Sequence, residues 1–203
     1  ITNCRIDAEI NGTAYTGALS GSLELGSMAN SNNITANVSA NYNVGGLCGY
    51  LKGNSQASAN ASRGMVMGIN AVGGMVGTVA DSELKQSYST AYVLGTRSVG
   101  GLVGFTDSQA LVDECYAIGV VDGSINTGGL IGRNFLGSTS DSYWNTESSN
   151  QNLSAGGVAR TTLEMSYPFA QDTFVNWDFE SVWAGSEGFN NAYPYFIREY
   201  TQA

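Results

Sequence analysis

Carboxylates are the side chains of this sequence whose type and spacing could do chemistry. Asp81 and Asp107 stand four and three residues past the last glycine of a repeated motif, so acids could gather on one edge of the fold. Two carboxyls about 5–10 Å apart would suit glycoside hydrolysis, and carboxylate oxygens would suit Ca²⁺. We expect these acids to be solvated residues of turns. A calcium site or a catalytic pair of carboxylates is the alternative. The acids concerned are Asp81, Glu83, Asp107, Asp113, Glu114, Asp122 and Asp141.

Histidine is absent from the sequence, which removes the commonest general base and metal ligand. An HExxH zinc peptidase is therefore excluded as the activity of this chain. Cys4, Cys48 and Cys115 form no CxxC pair and are expected to be buried, small apolar side chains. We expect no catalytic residues, no metal and no cofactor.

The acidic net charge of the chain limits the classes of partner that it can bind. The formal net charge is −9, and the eight Lys and Arg residues are scattered singly. A nucleic-acid partner would need a basic stripe that displaces counterions from phosphates, so nucleic acid is not an expected partner. No apolar run approaches membrane length, so the chain is not expected to span a membrane.

Aromatic residues supply the candidate ligand-binding groups. Trp144, Trp177 and Trp183 are expected in an aromatic-cored cap, or alternatively on a surface that stacks on sugars. Tyr88, Tyr92 and Tyr116 are predicted to point outward from strands. A strand face that is apolar on both sides is normally covered, so we expect the C-terminal segment or a partner chain to cover these tyrosines.

A repeated glycine motif organises the elements that would position these groups. The first glycines of five copies stand at positions 17, 45, 73, 100 and 128, so the steps are 28, 28, 27 and 28 residues. A constant period indicates stacked units that bury their apolar faces against their neighbours. The copies are TGALSG, VGGLCG, VGGMVG, VGGLVG and TGGLIG.

Equivalent positions of the repeat form apolar or small columns two residues apart, which is typical of one strand face. The sequence therefore predicts an all-β, parallel β-solenoid, right-handed by general preference, with two clear strands and a short third per coil. Its Gly-Gly motif is expected on a strand, where the paired glycines either allow close backbone approach or sit at a bend. Gly12, Gly68, Gly95 and Gly123 are expected in a positive-φ turn. The columns are Ile6, Ile34, Ser62, Ser89 and Ala117; Ala8, Ala36, Gly64, Ala91 and Gly119; and Ile10, Val38, Val66, Val93 and Val121.

The period fades near residue 145, which divides the chain into a solenoid, 1–145, and a C-terminal capping module, 146–203. Ser142 lies 27 residues beyond Cys115, so the first strand of a sixth coil is expected. Residues 146–157 are predicted to form a loop. Thr161 and Glu164 fit a capping box that opens a short helix ending before Pro168.

The motif and the tail together resemble a known family. The GGLVG units, with Glu-Cys-Tyr-Ala upstream and the tail segments Ser-Tyr-Trp and Trp-Asp-Phe, are similar to the GLUG-motif repeats of bacterial surface proteins. Such repeats occur in secreted adhesin-like proteins and in non-catalytic regions of IgA-cleaving metallopeptidases. The resemblance implies an extracellular or cell-surface location, a β-solenoid shape and a role in attachment.

The favoured function is a non-catalytic, adhesin-like bacterial surface module, a rigid scaffold for attachment to a host or neighbouring-cell protein or glycan. A carbohydrate-active β-helix enzyme and an accessory region of a secreted peptidase are the alternatives. A spacer without a partner of its own also stays open, and it would show no sizeable exposed apolar or aromatic patch.

Overall fold

The computed structural model describes residues 1–200 and confirms the all-β, parallel β-solenoid. Each of about five coils contributes to each of four parallel sheets, which we call sheets I to IV in the order in which the chain meets them. Two of the coils contribute two short strands each to sheet I. Four strands per coil replace the two or three expected, because the glycine motif turns the chain between sheets II and III.

Sheet I contains β1 (Arg5–Asn11), β5 (Asn33–Ser39), β9 (Ala61–Met67), β13 (Tyr88–Ser89), β14 (Tyr92–Leu94), β18 (Tyr116–Ala117), β19 (Val121–Asp122), β23 (Tyr143–Asn145) and β24 (Val158–Arg160). Sheet II contains β2 (Ala14–Thr16), β6 (Tyr42–Gly45), β10 (Asn70–Gly73), β15 (Arg97–Gly100) and β20 (Ile125–Gly128). Sheet III contains β3 (Ser20–Leu23), β7 (Cys48–Lys52), β11 (Val76–Ala80), β16 (Val103–Thr106) and β21 (Ile131–Asn134). Sheet IV contains β4 (Met28–Asn30), β8 (Gln56–Ser58), β12 (Glu83–Lys85), β17 (Leu111–Asp113) and β22 (Ser138–Ser140).

The predicted columns lie in register along the stack. Ile34 pairs with Ile6 and Ser62, and Val93 pairs with Val66 and Val121. The aliphatic members share one buried core with the motif residues Leu47, Met75, Leu102 and Leu130. Sequence equivalence therefore becomes spatial adjacency, which is the property that a solenoid requires.

The glycine motif is a corner that divides between two strands, so the bend expected as one alternative for the paired glycines is confirmed. Gly100 ends β15 in sheet II, and Val103 begins β16 in sheet III, with Gly101 and Leu102 between them. A Cβ on Gly101 would collide with the Gly129 carbonyl oxygen of the next coil and lie 3.0 Å from the Ala117 Cβ. Glycine is needed because sheet I packs its small column directly on this corner.

The positive-φ corners also differ from expectation. Gly12, Gly68, Gly95 and Gly123 do not adopt positive φ; a Cβ on Gly95 would instead press on Val72 and Val99 at 3.0 and 2.8 Å. Non-glycine residues adopt the left-handed conformation at several corners, including one column before sheet I and another inside sheet II. The first column is Asn3, Ser31, Ala59, Gln86, Glu114 and Asp141, and the second is Tyr15, Asn43, Ala71, Ser98 and Asn126.

Buried polar side chains join the coils at the corner that precedes sheet I. The Asn32 backbone N–H and side-chain amide donate to the Asn60 Oδ1 at 3.0 and 2.9 Å, and the Asn60 amide donates to the Ala29 carbonyl at 2.9 Å. Ser87 accepts from the Asn60 N–H, so the ladder continues into the next coil. These bonds satisfy backbone groups that the corner removes from the sheets.

The C-terminal part of the chain closes one end of the solenoid and covers sheet I. The expected strand of a sixth coil is β23, and β24 extends sheet I beyond residue 145. The loop expected over 146–157 begins instead with α1 (Thr146–Ser149), whose N-cap is Asn145. The expected capping box is confirmed at α2 (Thr162–Met165). Antiparallel β25 (Trp183–Ala184) and β26 (Tyr195–Phe196), a 3₁₀ turn at Asn190–Ala192 and α3 (Ile197–Tyr200) complete the fold.

Within the described residues, the helices are too short and too polar for any of them to cross a lipid bilayer.

Candidate functional site

A column of three tyrosines forms the contact between the solenoid and the C-terminal segment. Tyr88, Tyr116 and Tyr143 are paired in register on sheet I and are buried against C-terminal aromatic rings, as the prediction of a covered tyrosine face requires. The Tyr116 hydroxyl donates to the Pro194 carbonyl at 2.6 Å, and the Asn190 amide donates to that hydroxyl at 3.0 Å. Tyr92, which was predicted to point outward together with Tyr88 and Tyr116, is only partly buried.

The three tryptophans have packing roles. Trp183 is fully buried and stacks on Trp177 and Phe196, with ring centroids 4.4 and 4.5 Å apart. Trp144 belongs to the solenoid core, where its indole covers Gly129 at the end of the stack. The rings of Trp144 and Trp177 are 5% and 7% exposed. A sugar platform needs an open ring face, and none of the three indoles presents one in this structure.

An ion pair fixes α3 to sheet I beside a cavity of about 360 Å³. Arg63 lies 3.3 Å from Glu199, and the Tyr88 hydroxyl donates to Glu199 at 3.0 Å. Arg63 also donates to the Tyr88 hydroxyl and to Asn33. Burial, with a contribution from the Glu199 charge, raises the pKa of Tyr88 far above its ordinary value. The contacts satisfy one another internally, so we assign this cluster to the anchoring of the C-terminal segment.

The acids singled out in the sequence lie along corners and strands of the solenoid. Asp81 and Glu83 line a cavity of about 330 Å³, where Glu83 accepts from Gln56 at 3.2 Å. Asp113 accepts from Ser140 at 2.7 Å, and Glu114 accepts from Gln86 at 3.0 Å. Burial, opposed by the Gln86 bond, raises the pKa of Glu114. Each of these contacts joins adjacent coils, which gives Glu83, Asp113 and Glu114 a structural role.

An exposed groove lies where the outer surfaces of sheets II and III meet. The left-handed residues of sheet II lie against the third motif glycines, since a Cβ on Gly77 or Gly104 would collide with backbone atoms of Val44 or Val72. A cavity of about 180 Å³ marks the centre of this groove. It is lined by Asn43, Asn70, Ala71, Thr78, Arg97, Ser98, Phe105 and Arg133.

Two in-register rows form the walls of the groove. Tyr42, Asn70, Arg97 and Ile125 follow one another in sheet II, and Ser22, Tyr50, Thr78, Phe105 and Arg133 follow one another in sheet III. Across the groove, the Thr78 hydroxyl donates to Asn43 at 2.6 Å. At the N-terminal end the Tyr15 and Tyr50 rings stack with centroids 5.9 Å apart, and Tyr15 is 52% exposed.

The groove brings aromatic rings and guanidinium groups to one surface. Arg133 lies over the Phe105 ring, 5.5 Å from its centroid, and both arginines of the groove are exposed. The sequence offered a signal for this surface, because the residue directly after the last motif glycine is Tyr50, Phe105 or Arg133 in three of the coils. Such side chains can stack on apolar faces and bind anions.

No family model matches this chain, and no curated protein or solved structure was found to be similar to it. The GLUG resemblance consequently stays a prediction that rests on the motif and the tail segments.

Proposed function

We propose that this chain is a non-catalytic module of an extracellular bacterial surface protein, a rigid scaffold that attaches to a protein or glycan through the groove between sheets II and III. The observation that carries the proposal is the groove itself, where Phe105 and Arg133 are in register on adjacent coils and Arg97 lines the same cavity. The bacterial and extracellular parts of the proposal rest on the resemblance to GLUG repeats.

Rigidity supports a scaffold role. Parallel pairing joins every coil to its neighbours in all four sheets, and the buried Asn32–Asn60 bonds add contacts between coils. A side chain on one coil therefore holds its position relative to the side chains above and below it. Preordered binding groups lose little conformational freedom on association, which favours attachment.

The exposed aromatic surface distinguishes a binding module from a spacer. Tyr15 and Tyr42 are about half exposed, and Tyr50 and Phe105 are partly exposed, all four on sheets II and III. A spacer has no need of such a surface, whereas a binding face uses rings as contact area.

The test compares the chain with a variant that lacks two groove rings, Tyr50→Ala/Phe105→Ala. Both proteins are applied to a glycan array and to immobilised surface proteins of host and bacterial cells. The control is Phe135→Ala, which removes an exposed ring outside the set that lines the groove. The proposal expects binding by the wild type and the control, and at least tenfold weaker binding by the double variant. Equal binding by all three proteins would overturn it.

The same samples test the enzyme alternative. Glycans incubated with the chain are assayed for new reducing ends, and Asp81→Asn/Glu83→Gln serves as the comparison because these two acids line one cavity. Cleavage that disappears in this variant would replace the attachment proposal with an enzymatic one.

A further inference from the structure

The groove has a positive end in an acidic chain. The formal net charge of the chain is −9. In the described residues, ion pairs engage Lys52, Arg63, Lys85 and Arg160, and Arg97 and Arg133 have none. These two arginines occupy neighbouring coils and line the same cavity. An exposed cation without a carboxylate partner, repeated in one groove, indicates an anionic ligand.

The opposite end of the groove is aromatic. Tyr50 stacks with Tyr15, and Lys52 lies 5.2 Å from the centroid of the Tyr50 ring. Negative groups of a ligand are thus favoured at Arg97 and Arg133, and its uncharged ring faces at Tyr15 and Tyr50.

Uncharged polar groups lie between these two ends. Asn70 and Thr78 occupy the rows beside Arg97 and Phe105, and Asn43 bridges to Thr78 across the groove. Amides and hydroxyls of this kind exchange hydrogen bonds with sugar hydroxyls. The cavity, about 180 Å³, is smaller than pockets that enclose a whole small molecule, about 300–1,000 Å³. It fits one unit of a longer chain that lies along the coils.

Resting on the proposed function, we infer that the groove binds a linear polysaccharide whose sugars carry carboxylates. Arg97 and Arg133 hold the carboxylates in charge-assisted, bidentate hydrogen bonds. The Phe105 ring packs against the Arg133 guanidinium. The Tyr15–Tyr50 pair stacks on the apolar face of a neighbouring sugar. Because the groove is asymmetric, the polysaccharide binds in one direction, with its charged sugars toward the C-terminal coils.

The experiment measures binding of an oligogalacturonate by calorimetry, with its methyl ester as the matched uncharged ligand and polyglutamate as the peptide polyanion. Arg97→Gln and Arg133→Gln are compared with Arg5→Gln, which removes an exposed arginine of sheet I outside the groove. Thermal melting checks that each variant is folded.

We expect oligogalacturonate to bind at least tenfold more tightly than its methyl ester or polyglutamate. Each groove variant should weaken that binding at least tenfold, and Arg5→Gln should leave it within twofold. Equal binding of the ester, stronger binding of polyglutamate, binding unchanged in the groove variants, or no binding would overturn this inference. Ring-dependent binding of an uncharged glycan or a protein would still leave the proposed attachment function standing.

Discussion

Tyr88 and Tyr116 stack face to face across adjacent coils, with ring centroids 4.9 Å apart and planes 3° from parallel. The spacing matches the separation of neighbouring strands, about 4.8 Å, because the two residues are paired in register. The stack also contacts Trp183, which comes from the C-terminal segment. One aromatic column therefore belongs to both the solenoid and the segment that covers it.

Removal of the Tyr116 ring should destabilise the protein strongly. Tyr116→Ala deletes a fully buried ring that contacts Tyr88, Trp183 and Phe174, and the expected loss is about 3–5 kcal/mol. Tyr116→Phe keeps the ring and loses only its hydrogen bonds, which costs about 1 kcal/mol. Urea denaturation measures both. An alanine variant no less stable than the phenylalanine variant would contradict the structural role of the ring.

Alkaline pH should destabilise the fold through the same tyrosines. Burial is the largest cause that raises the pKa of Tyr88 and of Tyr116, whereas unfolded tyrosine titrates at about 10. Above pH ~10 the unfolded chain loses these protons and the folded chain keeps them, so the free energy of unfolding falls as pH rises. Urea midpoints at pH 8, 10 and 11 measure this decline. Tyr88→Phe should show a shallower decline, and an identical slope would contradict the assignment.

Gly101→Ala should be far more harmful than Gly188→Ala. A Cβ on Gly101 would collide with the Gly129 backbone, and the expected cost is about 3 kcal/mol or more. Gly188 has nothing within 4 Å of its added Cβ, so its variant should stay within about 0.5 kcal/mol of the wild type. Thermal melting of the two variants gives the comparison. Similar melting temperatures would show that the corner can open to accept a side chain.

The buried Asn60 should be essential to the corner ladder. Asn60→Ala leaves the Asn32 N–H and side-chain amide without their acceptor and removes the bond to the Ala29 carbonyl, a loss of about 3 kcal/mol. The control is Asn37→Ala at an exposed position of β5, which should change stability by about 0.5 kcal/mol at most. Chemical denaturation of both variants provides the measurement. Equal stabilities would mean that other groups or water replace the amide.

Alkylation should distinguish the three cysteines, which are free thiols. Burial raises the pKa of Cys48 to about 12, and it also raises the pKa of Cys115, whereas Cys4 is only partly buried. Iodoacetamide at pH 8 should label Cys4 in the native protein, and all three thiols after denaturation in urea. Mass spectrometry counts the labels. Rapid native labelling of Cys48 would contradict its place in the core.

The period of the sequence was enough to predict the stack and its interior columns, because identical positions in successive coils must meet. It was not enough to predict how each coil bends. Gly100 and Val103 belong to different sheets, and the periodicity alone could not decide between a bend and a close backbone approach at the paired glycines. Ala59 and Gln86 adopt left-handed φ without a glycine to mark the place in the sequence.

The candidate site was harder to predict than the fold. Tyr88 and Tyr116 were placed correctly on an outward face, and the C-terminal segment buries them there. Phe105 and Arg133 were not predicted as site residues, because the position directly after the last motif glycine is Tyr50, Phe105 or Arg133 in three coils, a signal that no single residue type repeats. Leu51 and Val79, one residue further along the chain, lie in the core.

Trp144 closes the C-terminal end of the solenoid core. It takes the place that Ala117 and Ser89 hold one and two coils earlier, and its indole fills the room above Gly129 that a further corner would need. The length of the solenoid therefore depends on the number of repeat units that precede Trp144. Duplication or deletion of one 28-residue unit upstream would change that length in steps of about 4.8 Å and leave the closed end intact.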